Sequence, residues 1–312
     1  MKKPALLVLG LMLIGIISTY FIVPQFIVAK STVNVDVTDV NVSRFLMIKQ
    51  AWPKWWPGQH NPADGDLFTY DGKSYTITKD ANSYVALTTN TGKIELAGKL
   101  SYFALDDGST AVEWTAQKQS SLNPIERVLE FIRIKQEQKR MDTILTAFKQ
   151  FVVKDQNLYG INVKVAKVKD GIMLATNTVS KSAPSMAVIE ALVTGLRKQI
   201  AAQNAKETNK PMLNINQADD KGYQVMVAIP VNKEIAPGQG NVINRMNVGG
   251  NILETEVKGG RHTIDNAFTQ LKNYQKDHSL ISPAMPFELM VTDRSIEKDT
   301  AKWVTKVYWP IF

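Results

Sequence analysis

The chain of 312 residues contains no cysteine. This absence excludes disulfides, thiol nucleophiles, thiolate metal sites and cysteine-linked lipids. Histidine is almost as scarce. The chain has three histidines, His60, His262 and His278, and they lie far apart in the sequence. None has a partner four residues away or another spacing typical of metal ligands, so we expect His262 and His278 to be solvated helix-end residues. The sequence therefore offers no catalytic residue, no metal site and no cofactor site.

Strong local charge is also missing. Lysine and arginine number 37 and aspartate and glutamate 29, which gives a formal net charge of +8 that is spread along the chain. No helix-turn-helix pattern or stripe of basic and aromatic residues is present, so we expect no nucleic-acid partner. The glycine pairs near residues 238, 249 and 259 lack the spacing of phosphate-binding loops. The excess positive charge instead favours a mild attraction to anionic lipid headgroups.

One long segment, from Pro4 to Ala29, has no charged residue at all. As a helix it would measure about 39 Å, which is enough to cross a bilayer with some tilt. Two lysines precede it and favour a cytoplasmic N-terminus. A cleavable signal peptide is the alternative, but its apolar region is normally shorter and the residues before Lys30 form a poor cleavage site. We expect an uncleaved, single-pass anchor at residues 1–30 in a bacterial inner membrane, with the following domains in the periplasm.

After the anchor, the pattern predicts a curved antiparallel sheet closed by a helix. Residues 33–37 alternate as a half-buried strand, and a short helical stretch at 43–50 leads into the cluster "WPKWWPG" at 52–58. Several β-rich runs with turn dipeptides follow. A helix then begins with Asn123 as its N-cap and Pro124 as its first residue. Apolar residues mark one face of it and resume after a polar stretch: Ile125, Val128, Leu129 and Ile132, then Met141, Ile144, Leu145, Phe148 and Val152.

This element order, together with "WPKWW" and "RMDTILTAFKQFV", resembles the START-like or polyketide-cyclase-like (SRPBCC) superfamily. The resemblance implies a helix-grip domain at residues 31–155. We expect one or two of the three clustered tryptophans to pack against the closing helix and the remaining one to be exposed at a pocket rim. Trp55 and Trp56 are the candidate ligand-binding residues here, and a membrane-surface aromatic belt is the alternative.

The second half of the chain contains an internal repeat. Two β-rich runs, 223–231 and 303–311, each end in an apolar-Pro-apolar triplet, and their prolines lie eighty residues apart. An amphipathic helical pattern precedes each run, at 186–200 and 264–274. A proline-containing turn opens a further strand after each helix. The pattern predicts two βαββ units that bury one sheet face in a shared core.

The motifs "GGRHTIDNAFTQLKNY", "PFELMVTD" and "WVTKVYWPI" resemble the GyrI-like effector-binding domain, the small-molecule sensor of several bacterial transcription regulators. The resemblance implies a pseudo-two-fold pair of βαββ repeats at residues 156–312, with a ligand groove between the helices and over the sheet. The predicted fold class is thus α+β: a transmembrane helix, a START-like domain and a GyrI-like domain. Regulators carry a DNA-binding module beside this domain, and its place is taken here by the anchor and the first domain, so the transcriptional role does not carry over.

The candidate groove residues come from the last two strands. If these form a hairpin with a symmetric loop, Glu288 lies directly opposite Lys306 and can form a cross-strand ion pair. The resemblance places Glu288 in the groove, and Lys306 stands where related regulators that bind cationic drugs often carry an acid. A shift by one residue, or a pair on the solvent face, is the alternative. We expect a groove that prefers neutral, zwitterionic or anionic ligands and is lined by Glu288, Lys306, Trp303, Tyr308 and Tyr274.

These expectations combine into one functional hypothesis. The protein is a non-catalytic, membrane-anchored, extracytoplasmic binding protein for a small hydrophobic molecule or lipid. A hydrolase acting on a small ligand in the GyrI-like groove and an envelope scaffold protein are the two alternatives. A linker between the domains is expected at residues 153–159, and the sequence does not indicate an oligomeric state.

Overall fold

The computed structural model describes the backbone of residues 2–81, 83–217 and 222–312, and the side chains of these residues except 2–9 and 80. The chain divides into two compact units, which meet in sequence between Lys154 and Asp155. Each unit combines helices with one antiparallel sheet, so the protein is of the mixed α+β class.

The N-terminal unit consists of helix α1, a sheet with short helical segments, and a long closing helix. In chain order it contains α1 (Lys2–Ile22), β1 (Phe26–Val35), α2 (Asp39–Leu46), β2 (Gln59–His60), β3 (Leu67–Tyr70), β4 (Lys73–Ala81), β5 (Tyr84–Asn90), β6 (Glu95–Ala104), β7 (Thr110–Gln119) and α3 (Pro124–Val152). Strands β2 to β7 form a meander, and β1 pairs with β7 at the other edge. Helix α3 packs against β1. The element order is the one expected of a helix-grip domain, and membership of the START-like superfamily stays a prediction.

The predicted anchor at residues 1–30 lies partly outside the described residues, since nothing is described of Met1 or of the side chains at 2–9. Helix α1 ends at Ile22, and residues from Phe26 onward belong to β1, so the helical part of the charge-free run is shorter than expected. None of the helices within the described residues is long and apolar enough to cross a membrane.

The tryptophan cluster lies entirely in the core of this unit. Trp52, Trp55 and Trp56 are all buried, so the expectation of one exposed ring is wrong. Residues 49–54 form a 3₁₀ helix that accommodates the first proline, and side chains three apart align in a 3₁₀ helix. The rings of Trp52 and Trp55 consequently meet with centroids 4.8 Å apart, and Trp55 packs 4.9 Å from Phe148 of α3.

Helix α3 begins as predicted but buries a different surface from the one its apolar residues suggest. The side chain of Asn123 accepts hydrogen bonds from the backbone N–H groups of Ile125 and Glu126, which confirms it as the N-cap. The helix then continues without a break to Val152. The second part of the apolar stripe is buried, whereas the first part, at residues 125, 128, 129 and 132, is exposed.

The C-terminal unit has an eight-stranded sheet made of two similar halves of four strands each. Its elements are α4 (Asp155–Tyr159), β8 (Lys164–Lys167), β9 (Ile172–Ser180), α5 (Met186–Ala202), β10 (Met212–Gln217), β11 (Tyr223–Pro230), β12 (Asn241–Arg245), β13 (Asn251–Lys258), α6 (Arg261–Asp277), β14 (Phe287–Met290) and β15 (Val304–Pro310). The strand order is β12-β9-β11-β10-β14-β15-β13-β8. The unit β9-α5-β10-β11 is therefore repeated as β13-α6-β14-β15, and the two copies meet at the β10–β14 pair. The predicted pair of βαββ repeats is present.

The segment predicted to be a linker, residues 153–159, contains the short helix α4. Residues 155–159 form α4, and Tyr159 is buried against α6, with its ring 5.4 Å from that of Tyr274. Its hydroxyl donates a hydrogen bond to Asp277. Tertiary packing of one aromatic side chain thus orders a stretch that its polar composition marked as a linker.

Candidate functional site

The two faces of the C-terminal sheet have different roles. Helices α5 and α6 cover one face, where they pack on β9 and β11 and on β13 and β15 respectively. Since side chains alternate along a strand, neighbouring residues point to opposite faces. In β10, Leu213 joins the core under α5, and Met212 belongs to a separate apolar cluster with Leu289 on the other face. The face away from α5 and α6 thus carries an apolar cluster of its own.

A cavity of about 360 Å³ lies on this second face, where it extends from β10 and β14 in the middle of the sheet to the edge strand β8. It adjoins a second cavity of about 280 Å³, and both are lined by Met212, Met246 and Phe287. The second cavity is also lined by Met173, Met226 and Met285. Methionine side chains are flexible and polarisable, so a surface rich in them adapts to apolar ligands of varied shape. The larger cavity has the volume of an ordinary small-molecule site.

Polar groups stand among these apolar side chains at one side of the larger cavity. Lys306 Nζ lies 2.9 Å from Glu254 Oε1, and both side chains are partly buried. The ring of Tyr308 stacks on that of Phe287, with centroids 5.1 Å apart. Burial raises the pKa of the Tyr308 phenol, and the charge and hydrogen bond of Glu254 raise it further. Tyr308 is therefore a neutral hydroxyl at any physiological pH and can bind a polar ligand group.

The charge that lines the larger cavity is positive. Lys167, Lys169, Lys210 and Lys306 contribute four positive charges, and Asp170 and Glu254 contribute two negative ones. Asp170 also accepts a hydrogen bond from Asn209, and Glu254 is engaged by Lys306. The two surplus positive charges favour ligands with a negative group and disfavour cations.

Glu288 does not face Lys306, which corrects the predicted pairing. In the β14–β15 ladder, Glu288 lies opposite Val307, and Lys306 lies opposite Leu289. The register differs by one residue from that of a symmetric loop, and such a shift moves a side chain to the other face of the sheet. Lys306 therefore lines the cavity, whereas Glu288 points to the face covered by the helices.

On that face Glu288 forms a buried ionic cluster. Its carboxylate is 1% exposed and lies 2.9 Å from Arg261 on one oxygen and 2.9 Å from Arg294 on the other. Arg294 also donates to Thr305 Oγ1 and stacks over the ring of Trp303, 4.7 Å from its centroid. Arg261 connects the start of α6 to β14, and Arg294 connects the segment between β14 and β15 to both strands. The cluster holds the end of the sheet to the helix layer.

The other predicted site residues are placed apart from the cavity. Trp303 belongs to the ionic cluster, and its indole N–H donates to the carbonyl of Glu297. Tyr274 packs between Tyr159 and His278 on α6. Trp55 and Trp56 lie in the core of the N-terminal unit, where their indole N–H groups donate to the carbonyls of Phe45 and Thr69. Of the seven predicted residues, the cavity thus brings together Lys306 and Tyr308.

Sequence reasoning missed the acid that accompanies these two residues. Glu254 is in β13, where it lies opposite Tyr308 and diagonally across from Lys306, which is two residues away from Tyr308 in β15. The alternation in "NILETEVK" marks Glu254 and Glu256 as residues of one face, but it does not show which strand is their neighbour. On the helix side, a smaller cavity of about 80 Å³ lies beside α5, lined by Ile189, Arg197 and Met290 among others. Across the described residues, no group of three or more His, Asp or Glu side chains is arranged to hold a metal ion.

Comparisons with known proteins add the following. No protein-family model matches the chain, and no curated protein sequence matches it. Among solved structures, the EcmrR C-terminal domain is 14% identical, with a TM-score of 0.42, and the match covers 49% of this chain and 98% of that one. EcmrR in a DNA complex is 16% identical, with a TM-score of 0.44 and coverage of 61% and 72%. A hydrolase from Listeria innocua is 8% identical, with a TM-score of 0.38 and coverage of 48% and 91%.

None of these similarities carries a function over to this chain. What the chain's own architecture establishes is a mixed α+β protein with two antiparallel sheets, whose second half has a doubled βαββ arrangement consistent with a GyrI-like fold.

Proposed function

We propose that residues 156–312 bind a small amphiphilic molecule with a neutral, zwitterionic or anionic polar group. The observation that carries this proposal is the cavity of about 360 Å³ on the face away from α5 and α6. Its methionine and aromatic lining suits an apolar body, and its surplus lysines suit an anionic group. The sequence predicts the same ligand class from a Glu288–Lys306 pair, and the cavity supports this ligand class through Glu254 and Lys306 instead.

The proposal includes attachment of the protein to a bacterial inner membrane by its N-terminal helix, with both units in the periplasm. Support comes from the charge-free run behind two lysines and from the exposed apolar side chains in the described part of α1. A signal peptidase cut before Lys30 would also remove Phe26–Ala29 from β1, including the buried residues Ile27 and Ala29. Loss of two core side chains from an edge strand would destabilise the unit, which supports retention of the segment.

The binding proposal is tested by charge reversal inside and outside the cavity. Lys306→Glu reverses one charge of the cavity lining. The control, Lys302→Glu, changes the net charge of the protein by the same amount at a side chain that is 62% exposed and does not line the cavity. The ligands are laurate, dodecanol and dodecylamine, which share one apolar chain and differ in charge. Dissociation constants are measured by competition with a fluorescent fatty acid, with ligand-dependent melting shifts as a second readout.

The wild type and Lys302→Glu should bind laurate at least as tightly as dodecanol and more tightly than dodecylamine. Lys306→Glu should weaken laurate binding by about ten-fold, because a hydrogen bond to a charged group contributes about 1.5–3 kcal/mol. Equal binding of the three ligands by all three proteins would refute the proposed charge preference. Failure of every ligand to bind the wild type would refute the binding function itself.

The tether is tested separately in membrane fractions. Alkaline carbonate should leave the full-length protein in the membrane pellet, and its N-terminal sequence should begin at or near Met1. Release into the supernatant, or a chain that begins at Lys30 or Ser31, would contradict the tether.

A further inference from the structure

An extended apolar surface on the N-terminal unit is not used by the proposed ligand site. We define the α1–α3 apolar surface as residues 11–22 of α1 together with Leu122, Ile125, Val128, Leu129 and Ile132 at the start of α3. Leu122 is 86% exposed and Ile125 is 70% exposed, and the other three α3 side chains are also exposed. Single exposed apolar residues are common on proteins, but a contiguous patch of this kind marks a surface that is covered by something else.

The two helices meet across an apolar cleft. Met12, Gly15, Ile16 and Thr19 of α1 face the first turns of α3 over a volume of about 450 Å³. Thr19 is the polar residue of this lining, and its hydroxyl donates to the carbonyl of Gly15 in its own helix. Among the residues that line the cleft, no polar side chain is therefore left unpaired, and such a lining suits an apolar occupant.

The junction between the two helices is fixed by hydrogen bonds. The buried guanidinium of Arg127 donates from Nε and Nη2 to the carbonyl of Val23, at 3.0 and 2.6 Å. It also lies over the ring of Tyr20, whose hydroxyl donates to the carbonyl of Leu122. Ser120 donates to the carbonyls of Pro24 and Gln25, just before β1. The depth of α1 in a bilayer therefore determines the depth of the start of α3.

We propose that the first turns of α3 lie in the outer leaflet of the membrane beside α1, with lipid acyl chains in the cleft between them. This inference rests on the tether proposed above. Along the helix axis, Met12 lies about 16 Å from Val23 and Thr19 lies about 6 Å from it. One leaflet contributes about 15 Å of the hydrocarbon core, so the α3 residues that face Met12 and Thr19 fall within a single leaflet. A lipid bilayer is the favoured occupant because the exposed apolar surface of α3 continues that of α1, which lies in a segment without charged residues.

Charge along α3 agrees with a membrane boundary near Arg133. The exposed apolar residues of α3 stop at Ile132. The next eight residues, "RIKQEQKR", include the exposed Lys135 and Lys139, which suit anionic lipid headgroups, whereas Arg133 and Arg140 pair with acids. Glu126 is the exposed acid within the apolar part, and it is paired with Arg133 at 3.6 Å. Glu130 is buried, where it accepts from the backbone N–H of Ser121 and pairs with Lys118.

The absence of cysteine allows a direct depth measurement. Single cysteines replace Ile14 in α1, Ile125 at the start of α3 and Val153 after its end, all of which are exposed. Each full-length variant is labelled with the fluorophore NBD and reconstituted in phosphatidylcholine–phosphatidylglycerol nanodiscs. Quenching is measured with doxyl-labelled lipids and with aqueous iodide.

We expect doxyl lipids to quench the probes at residues 14 and 125 strongly and iodide to quench the probe at residue 153. If the probe at 14 is quenched by lipid but the probe at 125 responds to iodide like that at 153, the tether holds and the inference about α3 is wrong. If both respond only to iodide, the tether itself fails. Protection of residue 125 from iodide in native membranes but not in nanodiscs would assign the surface to a protein partner and overturn the assignment to lipid.

Discussion

Replacement of Glu288 by glutamine should destabilise the C-terminal unit far more than the same change at another paired acid. The Glu288 carboxylate is buried between Arg261 and Arg294, and the side chain of Arg294 is itself only 3% exposed. Glutamine keeps the size of the side chain but leaves the buried guanidinium charge of Arg294 without its carboxylate partner, whereas Arg261 keeps its ion pair with Asp265. Removal of one member of a buried ion pair costs about 3–5 kcal/mol, and the remaining hydrogen-bonding capacity of glutamine places the expected loss near the lower value, about 3 kcal/mol.

The matched control is Glu254→Gln. Its pair with Lys306 has side chains that are 20% and 31% exposed, so we expect a loss of about 1 kcal/mol or less. Because the chain has two units, a single unfolding midpoint is not well defined, and hydrogen exchange of β14 and β15 peptides in increasing urea is the suitable assay. At an m-value of about 2 kcal/mol/M, Glu288→Gln should lower the urea concentration at the midpoint of exchange of the β14 and β15 peptides by about 1.5 M. Equal midpoint shifts for the two variants would refute the structural role assigned to the buried cluster.

Three further predictions concern single residues. Tyr308→Phe should leave the 295 nm absorbance titration of the native protein unchanged over about pH 9–11, because the raised pKa keeps this phenol protonated while ordinary tyrosines ionise. A smaller absorbance change of the variant in that range would contradict the raised pKa. The unfolded chain ionises this phenol first, so its contribution to stability should be complete below about pH 10 and fall at higher pH. Asn123→Ala should cost about 1 kcal/mol through loss of two cap hydrogen bonds, measured as faster amide exchange in the first turn of α3, and unchanged exchange would oppose the cap. Gly58→Ala should cost about 1–3 kcal/mol, because a Cβ there would stand 1.7 Å from the carbonyl oxygen of Thr69. The loss should appear as faster amide exchange of β3 peptides in urea, and unchanged exchange would show that the close approach is absent.

Local signals in the sequence predicted the elements that depend on local physics. The cap at Asn123 needs a short polar side chain before a proline and an apolar run, and all three are contiguous in sequence. The repeated βαββ unit is visible because each copy repeats the same sequence of helix, proline-containing turn and strand. In both cases the interacting residues are neighbours in the chain or follow one fixed period.

Features that depend on distant partners could not be predicted in the same way. The position of Glu288 depends on the geometry of a long loop, and an offset of one residue places it on the opposite face. The exposed start of α3 has the same period as the buried part, so only the surrounding structure determines which part is covered. The pairing of Glu254 with Lys306 joins β13 to β15, an adjacency that neither strand specifies alone.

The central claim is that a ligand occupies the sheet face away from α5 and α6. The most direct test is photocrosslinking of a diazirine analogue of lauric acid to the full-length protein in nanodiscs, with labelled peptides identified by mass spectrometry. Label should appear on peptides that contain Met212, Met246 or Phe287, and excess laurate should remove it. Label concentrated on α5 or α6, and displaced by laurate from there, would place the ligand on the opposite face and contradict the account.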